Sequence, residues 1–175
     1  SLLLLTIDPQ DARDHDDAVA AEPDPDPQNK DGWIVTVAIA DVAHYVRPGT
    51  KLDHEAELRG NSVYFPDRVV PMLPEKISND LCSLREHEER PCLAVRMIFD
   101  KHGDKRGHTF HRAMMRSAAK LSYQEAQAAI DGKPSAKCVP LMETALKPLW
   151  AAYAVLAAAR DRREPLALDL PERRV

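Results

Sequence analysis

The 175 residues include only three cysteines, Cys82, Cys92 and Cys138, and no two of them stand in C-x-x-C spacing. So odd and scattered a set argues against a disulfide framework and points to buried, reduced thiols of a cytoplasmic protein. Long hydrophobic runs are also missing. None approaches the roughly 18 residues of a membrane helix. Leu2 to Leu5 is too short for a signal-peptide core and no basic stretch precedes it. There is no internal repeat, and the one biased tract is the short proline connector beginning at Pro23. What remains is 44% hydrophobic and 30% charged, an ordinary soluble composition long enough for one domain with a sizeable core. A monomer with no membrane partner is expected.

Against this background the acids stand out. Asp8, Asp14, Asp16 and Asp17 fall within ten residues, directly after the apolar run Leu2 to Ile7. Like charges about 4 Å apart in a partly buried setting oppose each other by several kcal/mol, about 4 at an effective dielectric of 20. A fold that gathers four carboxylates therefore calls for a cation. Hard oxygen donors suit Mg²⁺, with Mn²⁺ also acceptable, and carboxylates at a loop mouth commonly hold ions that bracket a phosphate. An acidic loop could simply be solvated. Here the apolar strand before it and Ala18 to Ala21 after it pull the loop against a core. An EF-hand is excluded, because counting from Asp14 its sixth and twelfth positions hold Val19 and Pro25 instead of Gly and Glu. The Asp14 to Asp17 string is similar to the proton-donating motif of class II terpene cyclases, but the strand-rich surroundings disagree with an all-helical protein.

The segment Thr6 to Val19 resembles the catalytic signature of the ribonuclease II / ribonuclease R family, the RNB catalytic domain, with Asp11 to Asp17 closest to the ribonuclease R branch. The similarity continues through Val37 to Thr50, Leu52 to Ala56, Arg59 to Pro66, Pro71 to Glu75 and Ser78 to Leu84. The resemblance implies a processive, metal-dependent 3′→5′ exoribonuclease that releases nucleoside 5′-monophosphates from single-stranded 3′ ends of RNA. It implies that Asp8, Asp14 and Asp17 hold metal, and that Asp16 is a further ligand or positions the attacking water. Asp14 and Asp16 are the catalytic candidates. Tyr64 matches the tyrosine that stacks on the terminal base, a contact that any base satisfies. The match covers the first part of the catalytic domain, so residues 1–175 are expected to be a fragment, with the cold-shock and S1 domains elsewhere. An inactive metal- or RNA-binding module and a metal-dependent phosphomonoesterase are the alternatives, and Tyr64 speaks against the latter.

Other polar groups are less informative. Asp11 is outside the signature, and His15 is expected to face away from the neighbouring acids. Phe65 should alternate into the core, while Asp41 and the Ser78-Asn79-Asp80 loop have either site or structural roles. Asp24 and Asp26, held between prolines, are expected to be solvated. His108 and His111, three apart on a strand, face opposite ways. The charge is uneven: residues 1–100 carry 10 basic and 20 acidic residues, a balance of −10, and residues 101–175 carry 14 and 8, a balance of +6. A basic second part could accompany a phosphate backbone.

The fold class expected is α+β, a mixed, partly antiparallel sheet with appended helices. Strands are predicted at Leu2 to Ile7, Ala18 to Glu22 and Trp33 to Ala40, the last β-branched and central. A hairpin joins Leu93–Asp100 to Lys105–Met115. Helices follow Thr50 as far as Arg59, and Ser122 as far as Ile130, each with a capping-box acid. Leu141 to Arg163 reads as a helix kinked at Pro148, with its stripe on Met142, Leu146, Leu149, Tyr153, Leu156 and Arg160.

Overall fold

The chain is described here over residues 2–166 by a computed structural model. Strands β1 (Leu5–Asp8), β2 (Asp17–Pro23) and β3 (Trp33–Ala40) form an antiparallel meander. Helices α1 (Val42–Tyr45) and α2 (Lys51–Arg59) follow, then a separate two-stranded ribbon of β4 (Val63–Tyr64) and β5 (Val69–Val70). Strands β6 (Glu89–Phe99) and β7 (Lys105–Arg116) make the expected hairpin. Strand β8 (Ala119–Ser122) pairs parallel to β1, and α3 (Tyr123–Ile130) and α4 (Lys147–Asp161) complete the order. The main sheet runs β7-β6-β3-β2-β1-β8, the mixed α+β architecture the sequence implied, with β3 inside it.

The two edge strands of that sheet, β7 and β8, are separated by only Ser117 and Ala118. So short a link spans at most about 11 Å, far less than the width of six strands at about 4.8 Å spacing. The sheet must therefore curl until its edges meet. Residues 105–122 act as one bent strand, paired with β6 at its start and β1 at its end. The concave side is lined by small residues. Ala18, Ala20, Ala38 and Ala40 cluster there with Leu4, Met115, Cys82, Leu84 and Cys92. These short side chains let the segment around Cys82 to Leu84 lie close against the strands.

The helices cover the other face. Leu5, Ala119 and Leu121 meet Ala129 of α3 together with Cys138, Ala145 and Leu146. Truncating a fully buried leucine such as Leu121 costs about 2–5 kcal/mol. Ser122 and Glu125 form the expected capping box, and Thr50 caps α2, which ends at Gly60 with φ 72°. Cys82, Cys92 and Cys138 are buried and free.

The C-terminal helix differs from its sequence reading. Its first turns are irregular, with a wide turn over Met142–Leu146, and α4 proper begins at Lys147. Pro148 thus falls in the first turn of α4, directly after the wide turn that accommodates its missing N–H. The buried face is Leu149, Ala152, Leu156 and Ala159, while Tyr153 is 53% exposed and Arg160 is exposed. Alanine wins because it allows close approach. A Cβ on Gly103, in the β6–β7 turn, would sit 2.7 Å from the Ala159 Cβ. No described helix is long and apolar enough to cross a membrane.

Candidate active site

Antiparallel pairing sets the end of β1 beside the start of β2, with Leu5 opposite Val19. Asp8 closes the first strand and Asp17 opens the second. The intervening loop is folded by a turn in which the Ala12 N–H donates to the Pro9 carbonyl at 3.0 Å, and it is pinned where the Ala40 N–H donates to the Asp16 carbonyl at 2.8 Å. Asp8, Asp14, Asp16 and Asp17 all line one open cleft of about 920 Å³.

Tyr64 lines the same cleft. It stands 75% exposed on β4, because the two-residue ribbon has no layer of structure beneath it to bury either face. The same geometry corrects the reading of Phe65. It is not core: it is 46% exposed and lines the cleft beside Tyr64. The Arg68 guanidinium lies 4.9 Å from its ring centroid, a cation–π contact. Asp11 and Arg13 also line the cleft, as do Ser78 and Asn79. Asp80 instead turns to Lys76, to Arg85 at 3.0 Å and to Arg90 at 3.7 Å. Asp41 is buried and paired with Arg112 at 3.2 Å, a structural tie across the sheet. Asp24 and Asp26 accept hydrogen bonds within their own turn.

His15 departs most from expectation. It is indeed turned inward, with its side chain 4% exposed, but onto an acid: Nδ1 lies 2.7 Å from Asp8 Oδ2. Its main-chain N–H donates to Ser83 Oγ at 3.2 Å and its carbonyl accepts the Leu84 N–H at 2.8 Å. Sequence spacing carries no signal for this contact, since its anchor is 68 residues away.

Electrostatics mark Asp16 and Asp17. Burial pushes the Asp16 carboxyl above its ordinary 3.8, and Asp14, Asp17 and Asp8 push it the same way. Burial and then Asp8 raise Asp17. A raised carboxyl means that the folded chain binds more protons than the unfolded chain around these values. The two acids therefore cost the fold stability above pH 3.8, and that cost is relieved as pH falls through their raised values. Among the described residues the ion-pair partner of the four is His15 alone, on Asp8.

The donor set fits a hard divalent cation, all carboxylate oxygen at an open mouth with mutual repulsion for a cation to relieve. Among the described residues no three His, Cys, Asp or Glu side chains are already drawn together as a metal cage. Asp8, Asp14 and Asp17, with Asp16 adjoining, are the carboxylates on this cleft that could hold such a cation.

The resemblance is met by comparison. A family model described as the RNB domain matches residues 1–175. A ribonuclease R of Vibrio parahaemolyticus is 45% identical over 174 residues, which is 98% of this chain and 20% of the relative. The Escherichia coli ribonuclease R is 43% identical over 173 residues, 98% of this chain and 21% of the relative. Among solved structures, Mycoplasma genitalium RNase R in complex with double-stranded RNA matches with a TM-score of 0.83 at 32% identity, covering 93% of this chain and 28% of that one. The chain spans about a fifth of the length of the curated relatives it matches. An acidic loop between β1 and β2, an aromatic ribbon facing it, and a match from the first residue to the last lead to one statement: the chain belongs to the RNB domain family.

Proposed function

We propose that the chain carries the hydrolytic centre of a metal-dependent 3′→5′ exoribonuclease, which processively releases nucleoside 5′-monophosphates from single-stranded RNA ends as part of a longer protein. The observation that carries this reading is that the four aspartates and the exposed Tyr64 open onto one cleft. An aromatic face beside a carboxylate cluster suits a substrate that has both a base and a phosphate. A phosphomonoesterase would have no use for the exposed ring. The open cleft and its four carboxylates are what an inactive module would lack reason to keep.

In this reading Asp8, Asp14 and Asp17 hold Mg²⁺ or Mn²⁺, which when bound polarises the phosphoryl oxygens and makes a water acidic enough to attack. Asp16 orients that water or adds a ligand. Its carboxyl is raised by burial first and then by Asp14, Asp17 and Asp8, and a bound cation would relieve that repulsion. Tyr64 holds the terminal base by stacking, which reads no sequence and so suits stepwise degradation of any RNA. A cytoplasmic, reducing setting suits the three buried thiols, and a monomer is sufficient for the chemistry.

The test uses the full-length protein and labelled single-stranded RNA. With Mg²⁺ it should yield nucleoside 5′-monophosphates from the 3′ end. Asp16→Asn should lower turnover by about 10²- to 10⁴-fold and leave RNA affinity close to wild type in filter binding. Unchanged turnover in Asp16→Asn removes that residue from the chemistry, and products other than 5′-monophosphates overturn the reaction class.

A further inference from the structure

We infer that His15 is a positioning residue for Asp8, the imidazole acting as the outer partner that fixes one carboxylate oxygen so that the other serves the cleft. The inference rests on the reading of the acidic loop as a divalent-cation site. A carboxylate can only accept, so Nδ1 carries the proton and donates to Oδ2 at 2.7 Å. Asp8 also lines the cleft, and the hydrogen bond at Oδ2 fixes the rotation of the carboxylate and with it the direction of Oδ1.

The ring is itself held. The His15 main chain is fixed on both sides, by Ser83 Oγ on its N–H and by the Leu84 N–H on its carbonyl. Leu84 is fully buried on the concave face of the sheet. The chain of support thus runs from the core through residues 83 and 84 to His15, and from His15 to Asp8. A histidine buried only for packing would need some acceptor. Here the acceptor is the acid that ends β1, with 13% of its side chain exposed. Donors behind a ligating carboxylate fix its orientation, and their loss typically costs about 10- to 100-fold in metal affinity or activity.

The experiment compares His15→Phe, which fills the same buried space without a donor, with His15→Asn, whose amide nitrogen reaches a position similar to that of Nδ1. Mn²⁺ titration calorimetry on the full-length protein without RNA is the primary readout, with thermal melts to verify folding. His15→Phe should bind Mn²⁺ about 10- to 100-fold more weakly, and His15→Asn should recover most of that loss. At saturating RNA, His15→Phe should lower kcat and leave KM for RNA unchanged. Should His15→Phe fail to fold, His15→Asn and His15→Leu decide in the same way: affinity kept by Asn and lost by Leu supports the inference, and equal affinities overturn it. Asp8→Asn/Asp17→Asn is the control. Mn²⁺ binding that survives in that double variant overturns the metal reading, and the role of His15 with it. Binding lost there but wild type in His15→Phe overturns the inference alone.

Discussion

Removing the Tyr64 ring should change where degradation stops and leave the fold intact. Tyr64 is 75% exposed on a two-residue strand, so Tyr64→Ala opens no core cavity, and stability should stay within about 0.5 kcal/mol of wild type. Any functional loss then reports on the substrate. Base–aromatic stacking is worth about 1–3 kcal/mol. At 1.4 kcal/mol per factor of ten, that speeds release of the RNA end by about 5- to 150-fold. The loss is small beside the many phosphate contacts of a long strand, and initial rates on long RNA should be nearly unchanged. Near the end of digestion few contacts remain, and release overtakes the next cleavage. Tyr64→Ala should therefore leave a longer limit product on a 5′-labelled oligonucleotide ladder, with the same Mg²⁺ requirement. Tyr64→Phe, which keeps the ring and loses the hydroxyl, should match wild type. Phe65 faces the same cleft but has Arg68 over its ring, so it should not substitute for Tyr64. Identical end-product lengths for Tyr64→Ala and wild type would refute the stacking role.

Two further outcomes test the fold that holds the site. Thr6 lies two residues before Asp8, fully buried, with no hydrogen-bond partner for Oγ1 among the described residues; Thr6→Val should stabilise the protein by about 1–2 kcal/mol, read in urea melts or as a rise in Tm of about 2–4 °C per kcal/mol, and a less stable variant would show that the hydroxyl is satisfied. Glu125 is held below its ordinary 4.5 chiefly by the Ser122 main-chain hydrogen bond and then by its side chain, so its contribution is present above pH 4.5 and lost as pH falls through the depressed value; Ser122→Ala should cost about 1 kcal/mol at neutral pH and, in melts followed against pH, weaken that acid-side dependence only in part, since the main-chain donor remains.

Features set by neighbours in sequence were legible beforehand, and features set by distant contacts were not. The bounds of β3 followed from a nearly apolar run rich in β-branched residues. Those of α3 followed from Ser122, Glu125 and the Asp131-Gly132 stop, all local chemistry. The clustering of four aspartates needed only their spacing. Phe65 was misread because strand alternation presumes a buried side, and the β4–β5 ribbon has none. His15 was misread because its orientation is set by Ser83 and Leu84. The helical stripe held at Met142, Leu146, Leu149 and Leu156 and failed at Tyr153 and Arg160, because periodicity favours large residues while close packing on the sheet selected Ala152 and Ala159.

The bent strand at residues 105–122 gives the site a history as well as a shape. Its last pairing sets Asp8 beside Ser122, although the two are separated by most of the chain. Pairings of such long sequence separation carry a high loop-closure entropy and form late in folding. In vectorial synthesis the four aspartates precede their own frame, which waits for residues 83 and 84 and then for β8. The acidic loop is thus made before the segments that frame it, and it is among the last parts of the fold to acquire its working form. An unfinished chain carries the acids of the site without the frame that lets them act together.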